Sequence, residues 1–154
     1  MATAMSDPKL FTVEQAEKTL PLVRRVVADI VKVFDRRAQL LSERHKLRPV
    51  PTPGSGQEDQ VIELENQIHA AEDEISRYQG ELEAVGVELK DYNMGLVDFY
   101  SQYRDRLVYL CWKIDDGDKI QHWHELNTGF RGRSPILPED REQFQNRMTC
   151  RPGR

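Results

Sequence analysis

The sequence predicts an α+β fold: a long antiparallel helical hairpin followed by a small antiparallel sheet of three to four strands. Three observations predict it. Apolar residues recur at alternating steps of three and four, first from Leu20 to Leu41 and again from Val61 to Val85. A Pro/Gly-rich stretch, Arg48 to Gly56, separates the two runs. After Gly86 the apolar period drops to two, the repeat of a strand.

Residues 1–10 carry no periodicity and are expected to be disordered. Thr12-Val13-Glu14-Gln15 reads as a capping box, in which the Thr12 hydroxyl and the Gln15 side chain each take the other's backbone amide. Pro21 disfavours helical geometry at Leu20 and removes a donor, so a short helix, a kink and then a long helix to about Leu47 are expected. Its stripe is Leu20, Val23, Val27, Ile30, Phe34 and Leu41, widened by Val26, Val33 and Leu40. The prolines at 49, 51 and 53 end it.

The second helix is expected from about Glu58 to Val85. Val61, Leu64, Ile68, Ala71, Ile75, Tyr78, Leu82 and Val85 form an unbroken heptad seam. Gly86 is the expected C-cap, because glycine enters the left-handed region cheaply. The helices differ in charge. Residues 21–48 hold eight Lys/Arg against three acids, and residues 58–88 hold ten acids against Arg77 alone. That contrast favours antiparallel pairing of these two helices over pairing with their own copies.

Strands are expected at 87–90, 96–100, 107–113 and 120–124. The turns are Asp91–Gly95, Arg104-Asp105 and Asp115–Asp118. Connections this short allow only antiparallel neighbours. The domain therefore spans 11–137, with the hairpin in 11–85, its loop at 48–57, and the sheet with its exit loop in 86–133. Residues 138–154 read as a polar tail in which Pro138-Glu139-Asp140 opens a short helix.

Composition narrows the function classes. The 154 residues are 38% hydrophobic and 31% charged, with a net charge of −4, which speaks against a general nucleic-acid binder. No apolar run approaches a membrane span, and residues 1–9 lack the apolar core of a secretory signal. Two cysteines, Cys111 and Cys150, make no disulfide framework, so a cytoplasmic setting is expected. Nucleotide-binding glycine signatures and the nucleophile-elbow pattern are absent. His124-Glu125-Leu126-Asn127-Thr128 fails as a zincin motif because Thr128 stands where the second histidine belongs.

Two segments carry candidate chemistry. His122 and His124, two apart in a strand, share a face and suit one metal ion, but two ligands are too few, so no metal and no cofactor is expected there. In His124–Arg133, the glycines at 129 and 132 allow close backbone approach, and Arg131 and Arg133 can chelate a carboxylate or phosphate. Asp98, between Val97 and Phe99, needs a partner if it faces inward, and the Gly129 loop offers one. Cys111 reads as a small buried hydrophobe.

Several blocks occur in order: Leu10–Ala16 with Leu20-Pro21, Gly86–Asp91, Gly95–Phe99, Leu110–Lys113, Trp123-His124 and Gly129–Arg133. Together they resemble a bacterial family, the domain of unknown function numbered 2203, over roughly residues 10–137. The resemblance implies a helical hairpin before a small sheet, and motif residues Asp98, Cys111, Trp112, His124 and Arg133. It brings no activity, and His122 lies outside its motif.

The reading is a cytoplasmic, non-enzymatic binding or interaction module. A homodimer through the hairpin is expected, because the first helix's stripe is wider than one partner helix needs. A small anion or carboxylate ligand is expected at Asp98, Trp112, His124, Arg131 and Arg133. No nucleic acid and no membrane is expected as a partner. The alternatives are a small hydrolase using His124 with Asp98, or a metal protein using His122 and His124.

Overall fold

A computed structural model describes residues 8–47, 54 and 56–148. The expected disorder of residues 1–7, most of the Pro/Gly loop, Cys150 and the end of the tail lie outside those residues.

Helix α1 runs over Val13–Lys46 and α2 over Gln57–Val85. The capping box forms as expected. The Thr12 hydroxyl accepts from the Gln15 amide at 3.1 Å, and the Gln15 carbonyl oxygen accepts from the Thr12 amide at 3.1 Å. Pro21 does not break α1, contrary to the expected short first helix. Ala16 and Leu20 before it and Val23 after it are all buried in one core, and losing either side would cost more than the ~3 kcal/mol of an internal proline. Pro21 itself is exposed.

The two helices pack antiparallel. Leu40 meets Leu64 and Ile68 near the hairpin tip, and Val33 meets Ala71 and Ile75 in the middle. Leu82 joins the core at the sheet end. The charge contrast resolves into Arg44–Glu65 at 3.3 Å, Arg37–Glu72 at 2.8 Å and Arg36–Glu74. These pairs are partly exposed and set register more than stability. Gly86 caps α2 at φ 98°, its amide donating to the Leu82 and Glu83 carbonyls.

Among the described residues five strands form one antiparallel sheet in sequence order: β1 Glu88–Asp91, β2 Leu96–Tyr103, β3 Arg106–Lys113, β4 His122–Glu125 and β5 Ser134–Pro135. The fifth strand exceeds the expected three to four. It is two residues long and contains a proline, so no alternation could announce it. The β2–β3 hairpin turns on Arg104 and Asp105, both at positive φ (49° and 63°), the geometry that matches strand twist in a two-residue loop.

Alternation divides the sheet. Val97, Phe99, Val108, Leu110 and Trp112 face the helices and form one core with Phe11, Leu20, Val23, Val26, Val27, Ile30 and Leu82. Most of the α1 stripe is thus buried inside one chain: Val33 and Leu40 serve α2, and Val23, Val26, Val27 and Ile30 serve the sheet, while Leu41 stays exposed. The tail contributes as well. Pro138–Gln143 forms a 3-10 helix, Arg141 pairs with Glu17 at 2.7 Å, and Phe144 is 1% exposed, stacked on Tyr103. Among the described residues no helix is long and apolar enough to cross a membrane.

Candidate functional site

The outer face of the sheet, turned away from the helices, is built from the opposite residues of the same strands. The register sets Glu88 opposite Asp98, Asp98 opposite Cys111, and Cys111 opposite His122, which makes one row across four strands. Tyr100, Tyr109 and His124 make the next row. Side chains on this face are mostly polar or titratable, Leu96 and Leu107 apart, where the inner face is mostly apolar.

At the centre is a buried pair. His124 Nε2 lies 3.0 Å from Asp98 Oδ1, and the two side chains are 2% and 3% exposed. The other ring nitrogen, Nδ1, lies 2.7 Å from the Glu125 carbonyl oxygen. A carbonyl only accepts, so Nδ1 carries a hydrogen and donates. Nε2 then faces a carboxylate, and one further proton must lie between the two groups. Burial pushes the Asp98 carboxyl above its ordinary value, while the charge and hydrogen bond of His124 and the charge of Lys90 pull the other way.

Cys111 completes the cluster. The donor atoms of Asp98, Cys111 and His124 all lie within 4.8 Å of one another. Burial first, and the Asp98 charge second, push the thiol up to about 12, which is a protonated thiol at neutral pH. Above the pair, Tyr109 tilts over the His124 ring at 5.3 Å and accepts Lys90 over its own ring at 4.7 Å. Lys90 is neutralised by Glu88 at 2.7 Å; burial pushes the Glu88 carboxyl up, but hydrogen bonds from Lys90 and the tyrosines and the charge of Lys90 together outweigh it and hold Glu88 below the usual carboxylate range.

The structure divides the sequence-predicted residues. Asp98 and His124 meet, as expected. Trp112 does not join them: it is on the inner face, 0% exposed, its indole donating to the Gly117 carbonyl at 2.9 Å. Arg133 reaches the sheet edge but pairs with Asp116 at 3.2 Å rather than with Asp98. Arg131 is exposed. The loop amides are also not aimed outward. Gly132 donates to Gly129 O and Arg133 to Phe130 O, both at 3.1 Å, within the 3-10 turn Phe130–Gly132. Gly132 is required for another reason, since a Cβ there would meet Thr128 Cβ at 2.5 Å.

His122 shares the outer face with His124 but sits in the other row. Its Nδ1 is buried without a hydrogen-bond partner. Burial and the charges of Arg133 and Lys113 lower its pKa against the pull of Asp116. Sequence reasoning missed Cys111, Tyr109 and Tyr100 as neighbours of Asp98. The signal was present in the parity of β3, where Tyr109, Cys111 and Lys113 must share a face and Trp112 must not.

Residues 9–136 match the family described as "Uncharacterized conserved protein (DUF2203)". The chain belongs to that family. No curated protein and no solved structure matched the chain. The matched segment ends just beyond β5 and contains Asp98, Cys111 and His124; the buried Phe144 of the tail falls after it.

Proposed function

We propose that this member of the family is a cytoplasmic, non-enzymatic binding module that takes a small carboxylate-bearing or other anionic ligand at the edge of the outer face. The observation that carries the reading is a cation cluster on one ring. Lys113 Nζ lies 5.6 Å and the Arg133 guanidinium 4.6 Å from the Phe130 ring, and Arg131 is exposed beside them. Asp116 balances Arg133 alone. The ring holds both side chains in place at little cost in entropy, the preorganisation that anion capture needs.

The hydrolase reading has less support. A general base needs one ring nitrogen turned to substrate, and both nitrogens of His124 are engaged beneath the surface. A thiol held protonated is a poor nucleophile. A cytoplasmic setting suits Cys111 as a buried, reduced thiol. Self-association through the hairpin would draw on Leu22, Leu41 and Ile62, the large exposed apolar residues of α1 and α2, because most of the stripe that suggested it is buried within the chain.

The test is a thermal-shift panel of phosphate, citrate and short dicarboxylates against the wild type, Lys113→Ala and Arg133→Ala. The expected result is stabilisation of the wild type by several degrees with at least one anion, and its loss in both variants. If no anion stabilises the wild type, or both variants respond as the wild type does, the reading fails.

A further inference from the structure

The geometry points to a second site, beneath the first and independent of it: we propose that Asp98, Cys111 and His124 hold a single divalent transition-metal ion, with zinc the best fit. The three side chains come from β2, β3 and β4, and their donor atoms lie within 4.8 Å of one another with all three residues buried. One small ion can touch all three.

Four features of the cluster fit a metal. The first is the imidazole. Nδ1 donates to the Glu125 carbonyl at 2.7 Å, which fixes the tautomer and leaves Nε2 as a lone-pair donor aimed into the cluster. That backbone anchor is the support that metal-bound histidines ordinarily have. The second is the need for a cation. A lone pair and a carboxylate facing each other at 3.0 Å repel unless a proton or a metal ion lies between them. The third is charge. A thiolate, a carboxylate and a neutral imidazole sum to two negative charges, so one divalent ion makes the buried site neutral. The surrounding charges do not upset this sum, because Lys90 is paired with Glu88 and Arg133 with Asp116. The fourth is the donor set. Sulfur, nitrogen and one oxygen suit zinc, whereas calcium and magnesium take mostly oxygen.

Three protein ligands leave one position of a four-coordinate zinc for water. Binding releases two protons, the one on the Cys111 sulfur and the one between His124 and Asp98, and needs no oxidant or reductant. Tyr109 tilts over the His124 ring and all three ligands are buried, so the ion enters as the protein folds or when the covering side chains swing aside. This site differs from a His122–His124 pair, since His122 is not one of the three.

The experiment uses the full untagged chain carrying Cys150→Ser, so that a cysteine ligand can only be Cys111. The protein is refolded with a small excess of zinc or cobalt and freed of unbound metal by gel filtration. The expected result is one ion per chain, a thiolate-to-cobalt charge-transfer band, and, with free metal restored to a hundredfold excess over Kd, a melting temperature about 5–10 °C higher than that of the metal-free form. Cys111→Ala is expected to lose the band, and His122→Ala to keep both ion and band. Should Cys111→Ala fail to fold, the band in the Cys150→Ser protein decides alone. Absence of bound metal after refolding, or an ion retained equally by Cys111→Ala and Asp98→Asn, overturns the proposal.

Discussion

Along β3, Val108, Leu110 and Trp112 point toward the helices while Tyr109, Cys111 and Lys113 point away. Neighbouring residues of one strand thus enter two kinds of interior. On the inner side, burial is apolar and the only polar atom of Trp112 finds a carbonyl. On the outer side, Asp98, Cys111 and His124 are buried just as deeply, at 0–3% exposure, but by long polar and aromatic neighbours of their own face. The inner side gains from surface removed from water, roughly 25 cal/mol per Å². The outer side gains little that way. Its cohesion depends on every donor meeting an acceptor, and it is unforgiving when one partner is removed.

The comparison can be broken at Trp112. Trp112→Ala should cost about 4 kcal/mol in chemical denaturation, the transfer and cavity terms of a fully buried large ring. Tyr109→Phe, its neighbour three residues back on the other face, should cost only about 1 kcal/mol, the net worth of the hydroxyl's hydrogen bonds to Tyr100 and Glu88. Equal losses from the two changes would mean that the faces are not built differently.

Next in size is the buried pair. In metal-free protein, Asp98→Ala should cost about 3 kcal/mol, because it strands the imidazole without its partner. The double change Asp98→Leu with His124→Leu should cost less than Asp98→Ala alone. Additive losses in equilibrium unfolding would show that the pair is not an interdependent unit.

A smaller effect concerns pH. Burial pushes the Glu17 carboxyl up, but hydrogen bonds from Arg141 and the Ile120 amide together outweigh it, and the folded pKa is lowered from the ordinary 4.5. A carboxyl with a lowered folded pKa contributes stability that is present above its unfolded value and lost as pH falls through the folded one. Glu17→Gln should therefore flatten part of the loss of stability below about pH 4.5. Identical acid limbs for the two proteins would remove the Glu17–Arg141 pair from the account.

The smallest effect belongs to the hairpin surface. A double-mutant cycle on Arg37 and Glu72 should give a coupling of about 0.5 kcal/mol, since both side chains remain partly exposed. A coupling several times larger would make those charges structural rather than register-setting.

The hairpin was legible because its signals are local and repeated: a heptad seam, a capping box, a glycine cap and a charge contrast all act within one or two turns. Pro21 was misread because its local cost is set against core contacts of Ala16, Leu20 and Val23, which no window of sequence contains. The two-residue β5 and the burial of Phe144 were hidden for the same reason, since each depends on partners far along the chain. At the site, Asp98 and His124 were legible as a pair because a carboxylate amid apolar strand residues demands a partner. Trp112 was misassigned because chemical variety was weighed above strand parity, and parity is the stricter constraint.

The edge of β2 beyond β1 is closed by two distant segments. Phe11 donates to the Tyr100 carbonyl at 2.8 Å, and Gln102 and Gln145 exchange two backbone bonds at 3.0 and 2.8 Å. Asn146 reaches back to Gln15 at 3.2 Å. During synthesis, the β2 edge at Gln102 therefore waits for residues near 145 to leave the ribosome, although the hairpin itself is complete much earlier. Joining the chain between these adjacent segments and reopening it in the 48–57 loop would preserve every contact described above. Such a permutant would make α2 and the sheet first and the capped helix last, and its refolding rate would report how far the late closure governs folding.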